Sequence, residues 1–378
     1  MIKKILSGML LLLPVACSFS ADTDSPSLED KIGQMLLLGF RGTEITEDHE
    51  VVRILKDIPL GGVVLFDYDV PAGKFPRNIL NPEQTRSLIS SLQSFSATPL
   101  LVAVDAEGGR VNRLKPARGF LEIPAAADAG LKEPEELQKI YSGLAEQLAG
   151  LGFNLNLAPV VDLNINSENP VISGLGRSFS HEPEKVIECS REFISAHRNY
   201  HVLTALKHFP GHGSSYDDTH KGLADVTGTY QNRELTPFKR LIRAGLADTV
   251  MTAHIINKNI DPDHPATLSP RFIQDILRDR WGYSGVVISD DLHMDAVLNY
   301  YSFREAVVKA VQAGCDLLAI SNNGRFYDEK AAHKARDALR QAVQNSEIPM
   351  KTIDRSYQRI IDLKKRTGLM SGGREEEN

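Results

Sequence analysis

The sequence predicts an α/β fold in which eight parallel strands close into a (β/α)8 barrel, and three observations lead to this prediction. Short apolar runs alternate with helix-like segments over most of the 378 residues. The runs are continuously apolar, as expected of parallel strands that helices cover on both faces. There are eight such runs, which suits a closed barrel. An open doubly wound sheet is the alternative, but no Gly-x-Gly-x-x-Gly sequence follows the early strands.

The elements can be placed along the chain in order. The eight candidate strands cover residues 35–38, 62–66, 100–104, 154–157, 204–208, 249–252, 286–289 and 317–320. Between the strands, apolar residues recur at helical spacing, for example in residues 137–148. Proline marks the first turn of three helices and glycine marks two helix ends, at Pro82, Pro183, Pro270, Gly152 and Gly314.

The amino terminus has the composition of a secretory signal. Lys3 and Lys4 precede an apolar stretch over residues 5–16, which is too short to span a bilayer comfortably. Cys17 follows a small residue, so we expect a lipoprotein-type signal peptide over residues 1–21, with Cys17 as the lipid anchor to the membrane. An ordinary signal peptide cut near Ser20 or Ala21 is the alternative. The sequence therefore predicts an exported, periplasmic, membrane-anchored protein.

The remaining chain has the composition of one globular domain. We expect a single barrel domain over residues 22–370 and a polar tail over residues 371–378, because no linker-like stretch divides the chain. The net charge of −6 and the lack of a long basic run argue against nucleic acid as a partner. The other two cysteines, Cys189 and Cys315, lie in apolar patterns and are expected to be small buried hydrophobes rather than a disulfide.

Polar residues collect where the candidate strands end, and a (β/α)8 barrel carries its chemistry at the carboxyl ends of its strands. These residues follow the third, fourth, fifth and seventh strands, and we expect them on one rim: Asp105, Arg113, Arg177, Lys207, His208, Asp218, His220 and Asp290. The fifth strand runs into a loop rich in glycine and proline, residues 207–213, which forbids a regular helix there.

Three kinds of chemistry could use such a rim. A metal site could be built from His208, His212, Asp218, His220 and His254, but no histidine pair with metal-ligand spacing lies on a clear helix, and Lys207 adds a cation. Phosphate-directed chemistry has only a weak glycine signal after the eighth strand. Glycoside transfer needs a carboxylate beside the anomeric carbon and a proton donor to the departing oxygen, and Asp290 with an Asp218/His220 pair fits these roles. No metal or cofactor is predicted.

The motifs together resemble a known family. Lys207–Gly213 reads Lys-His-Phe-Pro-Gly-His-Gly, followed by Asp218-Thr-His220 and then Ser289-Asp-Asp-Leu-His-Met294. With Asp105-x-Glu-Gly-Gly-Arg-Val-x-Arg113 and residues 176–179, this pattern resembles the β-N-acetylglucosaminidase branch of glycoside hydrolase family 3. The resemblance extends over residues 28–367.

The resemblance implies a single TIM-type barrel and retaining hydrolysis through a covalent glycosyl-enzyme. Asp290 would be the nucleophile, and His220 paired with Asp218 would be the acid/base. The first sugar subsite would be formed by Asp105, Arg113, Arg177, Lys207 and His208. The implied substrate is a terminal N-acetylglucosamine in a peptidoglycan fragment or a chitin-type oligosaccharide. A phosphorylase of the same glycosides and a sugar-binding lipoprotein without catalysis are the alternatives.

Several of these residues also have structural interpretations. Asp290 could cap the following helix, with Asp291 as a solvated neighbour. Asp162 could satisfy Lys207 and His208 as a buried pair. His212 is expected to lock its loop through a backbone hydrogen bond, while Asp162 and His254 are expected to support the residues that contact substrate. Glu107 is expected to pair locally with Arg110.

Overall fold

A computed structural model describes residues 26–217 and 222–370. Its main sheet contains eight strands: β1 (Leu36–Gly39), β2 (Gly62–Val64), β3 (Leu101–Val104), β4 (Leu155–Asn156), β5 (Leu203–Phe209), β6 (Thr249–Thr252), β7 (Val286–Ile288) and β8 (Leu318–Ile320). Each one overlaps a run expected from the sequence, so the eight predicted strands are confirmed. Cys17, Asp218, His220 and the tail over residues 371–378 lie outside the described residues.

The eight strands follow one another around a closed ring. Each strand pairs in parallel with its neighbours in the chain, and β1 pairs with β8 through Leu36 and Leu318. A parallel bridge between Ile288 and Leu317 joins β7 to β8. The Ser289 N–H also donates to the Leu317 carbonyl oxygen at 2.9 Å. The predicted barrel is therefore confirmed, and the open-sheet alternative is wrong.

Helices surround the barrel and connect its strands. They are Leu28–Gln34, Glu50–Asp57, Pro82–Phe95, Ala126–Ala129, Pro134–Leu151, Pro183–Asn199, Leu235–Arg243, the π-helix Arg271–Arg280, Asp295–Leu298, Phe303–Ala313, Ala331–Gln344 and Met350–Arg366. Pro82 and Pro183 begin their helices, and Pro270 immediately precedes the π-helix. Gly152 and Gly314 end theirs in the left-handed conformation, with φ of 96° and 113°. These predicted boundaries are confirmed.

Several short elements lie in the connections that follow the strands of the barrel. An antiparallel pair, Ala106–Gly108 with Val111–Asn112, follows β3, and a parallel pair joins Ala224–Asp225 to Ile255–Ile256. Single 3₁₀ turns lie at Pro116–Arg118, Asn232–Glu234 and Ala266–Leu268. The antiparallel pair begins directly after Asp105, at the carboxyl end of β3.

The core consists of the strand side chains and the inner faces of the helices. All seven residues of β5 are buried. Cys189 and Cys315 are buried and free, as predicted, and burial raises the pKa of both thiols. In residues 26–217 and 222–370, no helix is long and apolar enough to cross a membrane.

Candidate active site

A cavity of about 440 Å³ opens at the carboxyl ends of the strands. It is lined by six of the residues selected from the sequence: Asp105, Arg113, Arg177, Lys207, His208 and Asp290. They lie at the end of β5 or in the segments that follow β3, β4 and β7, so the barrel brings together side chains that are far apart in the chain. Asp218 and His220 lie outside the described residues, and their placement in the site remains a prediction.

Lys207 is the centre of a buried ionic network. Its Nζ lies 2.8 Å from Asp105 Oδ1 and 2.6 Å from Glu107 Oε1, and its side chain is 3% exposed. Arg177 binds Glu107 through two hydrogen bonds, both of 2.8 Å. A buried cation is stable when several acceptors replace its water shell, and here two carboxylates do so.

Glu107 belongs to the ionic network of the cavity, and the sequence analysis did not select it as a site residue. The expected local pair with Arg110 is wrong, because the Glu107 carboxylate points inward to Arg177 and Lys207 while Arg110 is exposed. The short strand Ala106–Gly108 begins directly after Asp105. Side chains two positions apart in an extended segment share a face, so the spacing of Asp105 and Glu107 was the available signal.

The network keeps its carboxylates ionised. Burial alone raises the pKa of Asp105, but the charges of Lys207 and Arg113 outweigh it and hold that pKa well below its usual range. Burial likewise opposes ionisation of Glu107, and Arg177 and Lys207 lower its pKa. Arg177 responds in the opposite sense, because Glu107 raises its pKa despite burial. These groups therefore present fixed charges at neutral pH.

His208 is fixed on both sides by protein groups. Its Nδ1 lies 2.7 Å from Asp162 Oδ2, and its Nε2 lies 3.1 Å from Arg177 Nη2. A guanidinium can only donate, so Nε2 accepts and the proton sits on Nδ1, which donates to Asp162. His208 is therefore a neutral imidazole that orients Arg177. For a direct bond to a sugar hydroxyl, its Nε2 would have to exchange the Arg177 partner.

Asp162 supports this arrangement from beneath. It is fully buried and accepts hydrogen bonds from the backbone N–H groups of His208, at 3.1 Å, and His212, at 2.9 Å. Burial raises its pKa, but the hydrogen bonds that it accepts from the His208 ring and the His212 backbone outweigh this and lower it. The expected supporting role of Asp162 agrees with this geometry. The idea that Asp162 satisfies Lys207 as well is wrong, because Asp105 and Glu107 hold that ammonium.

Asp290 occupies the end of β7, where it lines the cavity. Its backbone N–H donates to Thr252 Oγ1 at 3.2 Å, and its Oδ1 accepts from the Asp291 N–H at 2.8 Å. The next helix starts only at Asp295, after the N-cap residue Met294. The helix-cap interpretation of Asp290 is therefore wrong, since the carboxylate stands in a loop rather than at a helix start.

Asp291 joins two loops and is not a solvated neighbour. Its Oδ1 accepts from the Ser321 N–H at 2.8 Å, and its Oδ2 accepts from the Ser321 hydroxyl. His254 Nε2 lies 2.9 Å from the Asp291 carbonyl oxygen. His254 thus braces the segment that carries Asp290, in line with the supporting role expected for it.

His212 forms the expected backbone hydrogen bond, and its ring takes no part in it. Its ring is buried at the cavity wall, and neither ring nitrogen has a hydrogen-bond partner among the described residues. Its backbone N–H, rather than its side chain, fixes the loop through Asp162. Burial lowers the pKa of His212 to about 4, so the ring is neutral at physiological pH. The next position, 213, requires glycine, because a Cβ there would lie only 1.8 Å from the Leu163 carbonyl oxygen.

The polar groups of the rim suit a small polar ligand. In the part of the chain that the structure describes, no group of three or more His, Cys, Asp or Glu side chains is arranged to hold a metal ion. The cavity instead offers fixed cations, ionised carboxylates and one carboxylate at the end of β7. This combination suits recognition of sugar hydroxyls and attack on a carbon that develops positive charge.

Comparison with known proteins agrees with this chemistry. Residues 27–363 match the family described as Glycosyl hydrolase family 3 N terminal domain. This chain belongs to glycosyl hydrolase family 3. The resemblance inferred from the motifs is confirmed, and the family 3 chain is a glycoside hydrolase.

Relatives of this family 3 enzyme carry names that fit the branch predicted from the motifs. A β-hexosaminidase from Nitrosomonas eutropha is 36% identical over 305 residues, which are 78% of this chain and 82% of that protein. A β-hexosaminidase from Xylella fastidiosa is 37% identical over 312 residues, covering 80% of this chain and 88% of the relative.

Solved structures show the same fold. A family 3 β-N-acetylglucosaminidase from Paenibacillus sp. str. FPU-7 superposes with a TM-score of 0.82 at 33% identity, over 92% of this chain. This chain spans only 64% of that protein's length. A β-N-acetylhexosaminidase from Beutenbergia cavernae gives a TM-score of 0.80 at 28% identity, and the match covers 90% of this chain and 98% of that one.

Proposed function

We propose that this family 3 enzyme is a retaining exo-β-N-acetylglucosaminidase that acts on peptidoglycan fragments or chitin-type oligosaccharides. One observation carries the proposal: Asp290 and the network of Asp105, Lys207 and Arg177 line the same cavity. The names of its relatives, β-hexosaminidase and β-N-acetylglucosaminidase, support the choice of an N-acetylhexosamine as the sugar.

The ionic network would hold the terminal sugar in the first subsite. Asp105 accepts hydrogen bonds from sugar hydroxyls, while Arg113, Arg177 and Lys207 donate to hydroxyl and amide oxygens. His208 keeps Arg177 in place through its Nε2. Because these groups are already fixed by their mutual bonds, little reorganisation is needed when the transition state forms.

Asp290 would attack the anomeric carbon as the bond to the leaving oxygen breaks. His220, paired with Asp218, would give that oxygen a proton, and the product would be a glycosyl ester on Asp290. Water then attacks the same carbon, gives its proton to His220 and releases Asp290. Each step inverts the configuration at the anomeric carbon, so the two steps together retain it.

Trapping the ester tests the nucleophile directly. The enzyme is incubated with a slow fluorinated N-acetylglucosaminide, and the labelled peptide is located by mass spectrometry. We expect the added sugar mass on the peptide that contains Asp290, and no label in Asp290→Asn. Asp291→Asn is the adjacent comparison and should still be labelled. Sugar mass on a different side chain would refute the assignment.

Hydrolysis and phosphorolysis can be separated in one assay. The products from a nitrophenyl β-N-acetylglucosaminide are measured with and without inorganic phosphate. We expect free N-acetylglucosamine in both cases. If sugar 1-phosphate dominates when phosphate is present, the enzyme is a phosphorylase. Sugar binding without turnover would instead favour the non-catalytic lipoprotein.

We also propose that the chain is exported and anchored to a membrane through Cys17, which lies outside the described residues. Only the amino-terminal sequence supports this proposal. Lipidation would place the protein in the membrane fraction and add the mass of an acyl group. Cys17→Ala should move it to the soluble fraction. If the Cys17→Ala protein fractionates as the parent does, the anchor is refuted.

A further inference from the structure

The segment that carries Asp290 is hydrogen-bonded along β8. The Ser289 N–H donates to the Leu317 carbonyl oxygen at 2.9 Å, and the Leu292 N–H donates to the Ala319 carbonyl oxygen at 3.0 Å. The Ala319 N–H in turn donates to Ser289 Oγ at 2.9 Å. The position of this segment therefore depends on β8 as well as on its own strand, β7.

Ser321, the first residue after β8, extends this attachment to the Asp291 side chain. Asp291 Oδ1 accepts from the Ser321 N–H at 2.8 Å, and Oδ2 accepts from the Ser321 hydroxyl. Hydrogen bonds to an ionised carboxylate are stronger than those between neutral groups. Because one residue supplies a donor to each oxygen, the Asp291 carboxylate is held in a single orientation.

Asp291 passes this restraint to Asp290. The Asp291 N–H donates to Asp290 Oδ1 at 2.8 Å, and the Asp291 carbonyl oxygen lies 2.9 Å from His254 Nε2. The N–H that holds Asp290 and the carboxylate that Ser321 holds belong to the same residue. The direction of this N–H, and with it the orientation of the Asp290 carboxylate, therefore depends on the contact with Ser321.

Arg77 is a buried arginine that the proposed mechanism does not use, and it supports Ser321 from the other side. Its Nη2 donates to the carbonyl oxygens of Ser321, at 3.3 Å, and Asn322, at 3.0 Å. Its Nη1 donates to Asn323 Oδ1 at 2.9 Å and lies 3.4 Å from Asp69 Oδ2. A guanidinium presents its donors in a fixed plane, so this one side chain holds three consecutive residues of the loop after β8.

The Ser321 hydroxyl is committed to protein groups, although the residue lines the cavity together with Asp290. Its proton goes to Asp291, and its oxygen accepts from the Asn323 N–H at 3.1 Å. A hydroxyl has one proton to donate, and here a carboxylate takes it. Ser321 is therefore suited to act through Asp291 rather than on the sugar itself.

We propose that Ser321 is a positioning residue for Asp290 and acts through the carboxylate and the backbone N–H of Asp291. This inference rests on the proposed glycosidase function, in which Asp290 attacks the anomeric carbon. The rate of such an attack depends steeply on the position of the carboxylate, whereas sugar binding depends on the ionic network around Lys207. Loss of the Ser321 hydroxyl should slow formation of the glycosyl ester and leave sugar binding unchanged.

The test removes the hydroxyl and measures ester formation and sugar binding separately. We expect Ser321→Ala to lower kcat/KM on a nitrophenyl β-N-acetylglucosaminide about tenfold, and to slow labelling by the slow fluorinated substrate by the same factor. The inhibition constant of N-acetylglucosamine should stay within about twofold of the parent value. Ser321→Thr keeps a hydroxyl and should restore kcat/KM to within about threefold of the parent.

Ser190→Ala is the matched control. It also deletes a buried serine hydroxyl, but Ser190 Oγ has no hydrogen-bond partner in the part of the chain that the structure describes, and Ser190 does not line the cavity. Neither the rate nor the inhibition constant should change in this variant.

Three results would overturn the role of Ser321. They are a parental kcat/KM in Ser321→Ala, an equal loss of rate and of N-acetylglucosamine affinity, and a Ser321→Thr protein that is as slow as Ser321→Ala. Failure of the proposed function looks different, because the parent enzyme itself would then not turn over the glycoside. That outcome is visible before any variant is measured.

Discussion

Two groups of buried charges lie at opposite ends of the barrel, and they differ in what their charges face. At the carboxyl ends of the strands, Lys207 and Arg177 bind Asp105 and Glu107 beside an open cavity. At the amino ends, Asp316 is fully buried and is surrounded by protein donors alone. Buried ion pairs occur in structural and functional places, so burial alone does not mark a site.

The base cluster around Asp316 fastens the barrel together. Asp316 accepts from Arg278 at 2.6 Å, from Arg359 at 3.0 Å, from Ser356 at 2.9 Å and from the Val287 N–H at 2.9 Å. These donors come from the π-helix, the last helix and β7. The carboxylate thus ties two helices to β7 and β8, and its role is fully explained by structure.

The largest expected effect on catalysis comes from substitution of Asp290, at the carboxyl end of the barrel. Asp290→Asn keeps the size of the side chain but removes the proposed nucleophile, so kcat on a nitrophenyl β-N-acetylglucosaminide should fall at least ~10³-fold. Thermal unfolding should change little, since Asp290 is only partly buried. Retention of parental activity by a well-folded Asp290→Asn protein would show that a different carboxylate attacks.

Removal of the cation at the centre of the ionic network should weaken sugar binding. Lys207→Met leaves Asp105 and Glu107 without their shared partner. We expect kcat/KM to fall by about 10²-fold, because the transition state loses more stabilisation than the bound substrate does. The pKa values of both carboxylates should rise, because the Lys207 charge that lowers them is gone. An activity profile measured from pH 4 to pH 8 should show an acid limb that moves to higher pH. An unshifted limb would mean that other cations set those pKa values.

Substitution in the cluster around Asp316 should lower the stability of the protein and leave its catalysis unchanged. Asp316→Asn leaves Arg278 and Arg359 without their buried carboxylate, and the free energy of unfolding should fall by about 3 kcal/mol. The kcat/KM of the folded variant should equal that of the parent. Urea unfolding and initial rates on the same preparation check both parts. A selective loss of catalysis would connect this end of the barrel to the active site.

The strands and several site residues could be predicted because the end of each strand is marked in the sequence by a change from apolar to polar residues. All eight strands and the residues Asp105, Lys207 and Asp290 could be predicted, since each apolar run ends directly in its polar residue. Glu107 was missed because its partner Arg177 lies 70 positions away. The role of Asp291 was missed because it depends on contacts with loops that follow different strands. Pairings of this kind are set by the closed barrel and have no local pattern.

The smallest expected effect concerns Lys364, a buried lysine between the first and last helices. Its Nζ donates to Gln34 Oε1 at 2.7 Å, and burial lowers its pKa to about 7. Below pH 7 the lysine is charged in the folded and unfolded states, so the full cost of burying the charge is present. Between pH 7 and about 10.4, the ordinary lysine pKa, the unfolded chain binds more protons, and stability rises with pH.

Replacement of Lys364 by an uncharged side chain should therefore stabilise the barrel most at low pH. We expect Lys364→Met to raise the free energy of unfolding by about 2 kcal/mol at pH 6, with the gain shrinking toward pH 10. Lys365→Met is the matched control. The Lys365 side chain is next in sequence and is exposed, so its replacement should change the free energy of unfolding little at either pH. Urea unfolding at pH 6 and pH 9.5 measures the difference. A gain that is equal at both values would show that Lys364 is charged in the folded protein throughout this range.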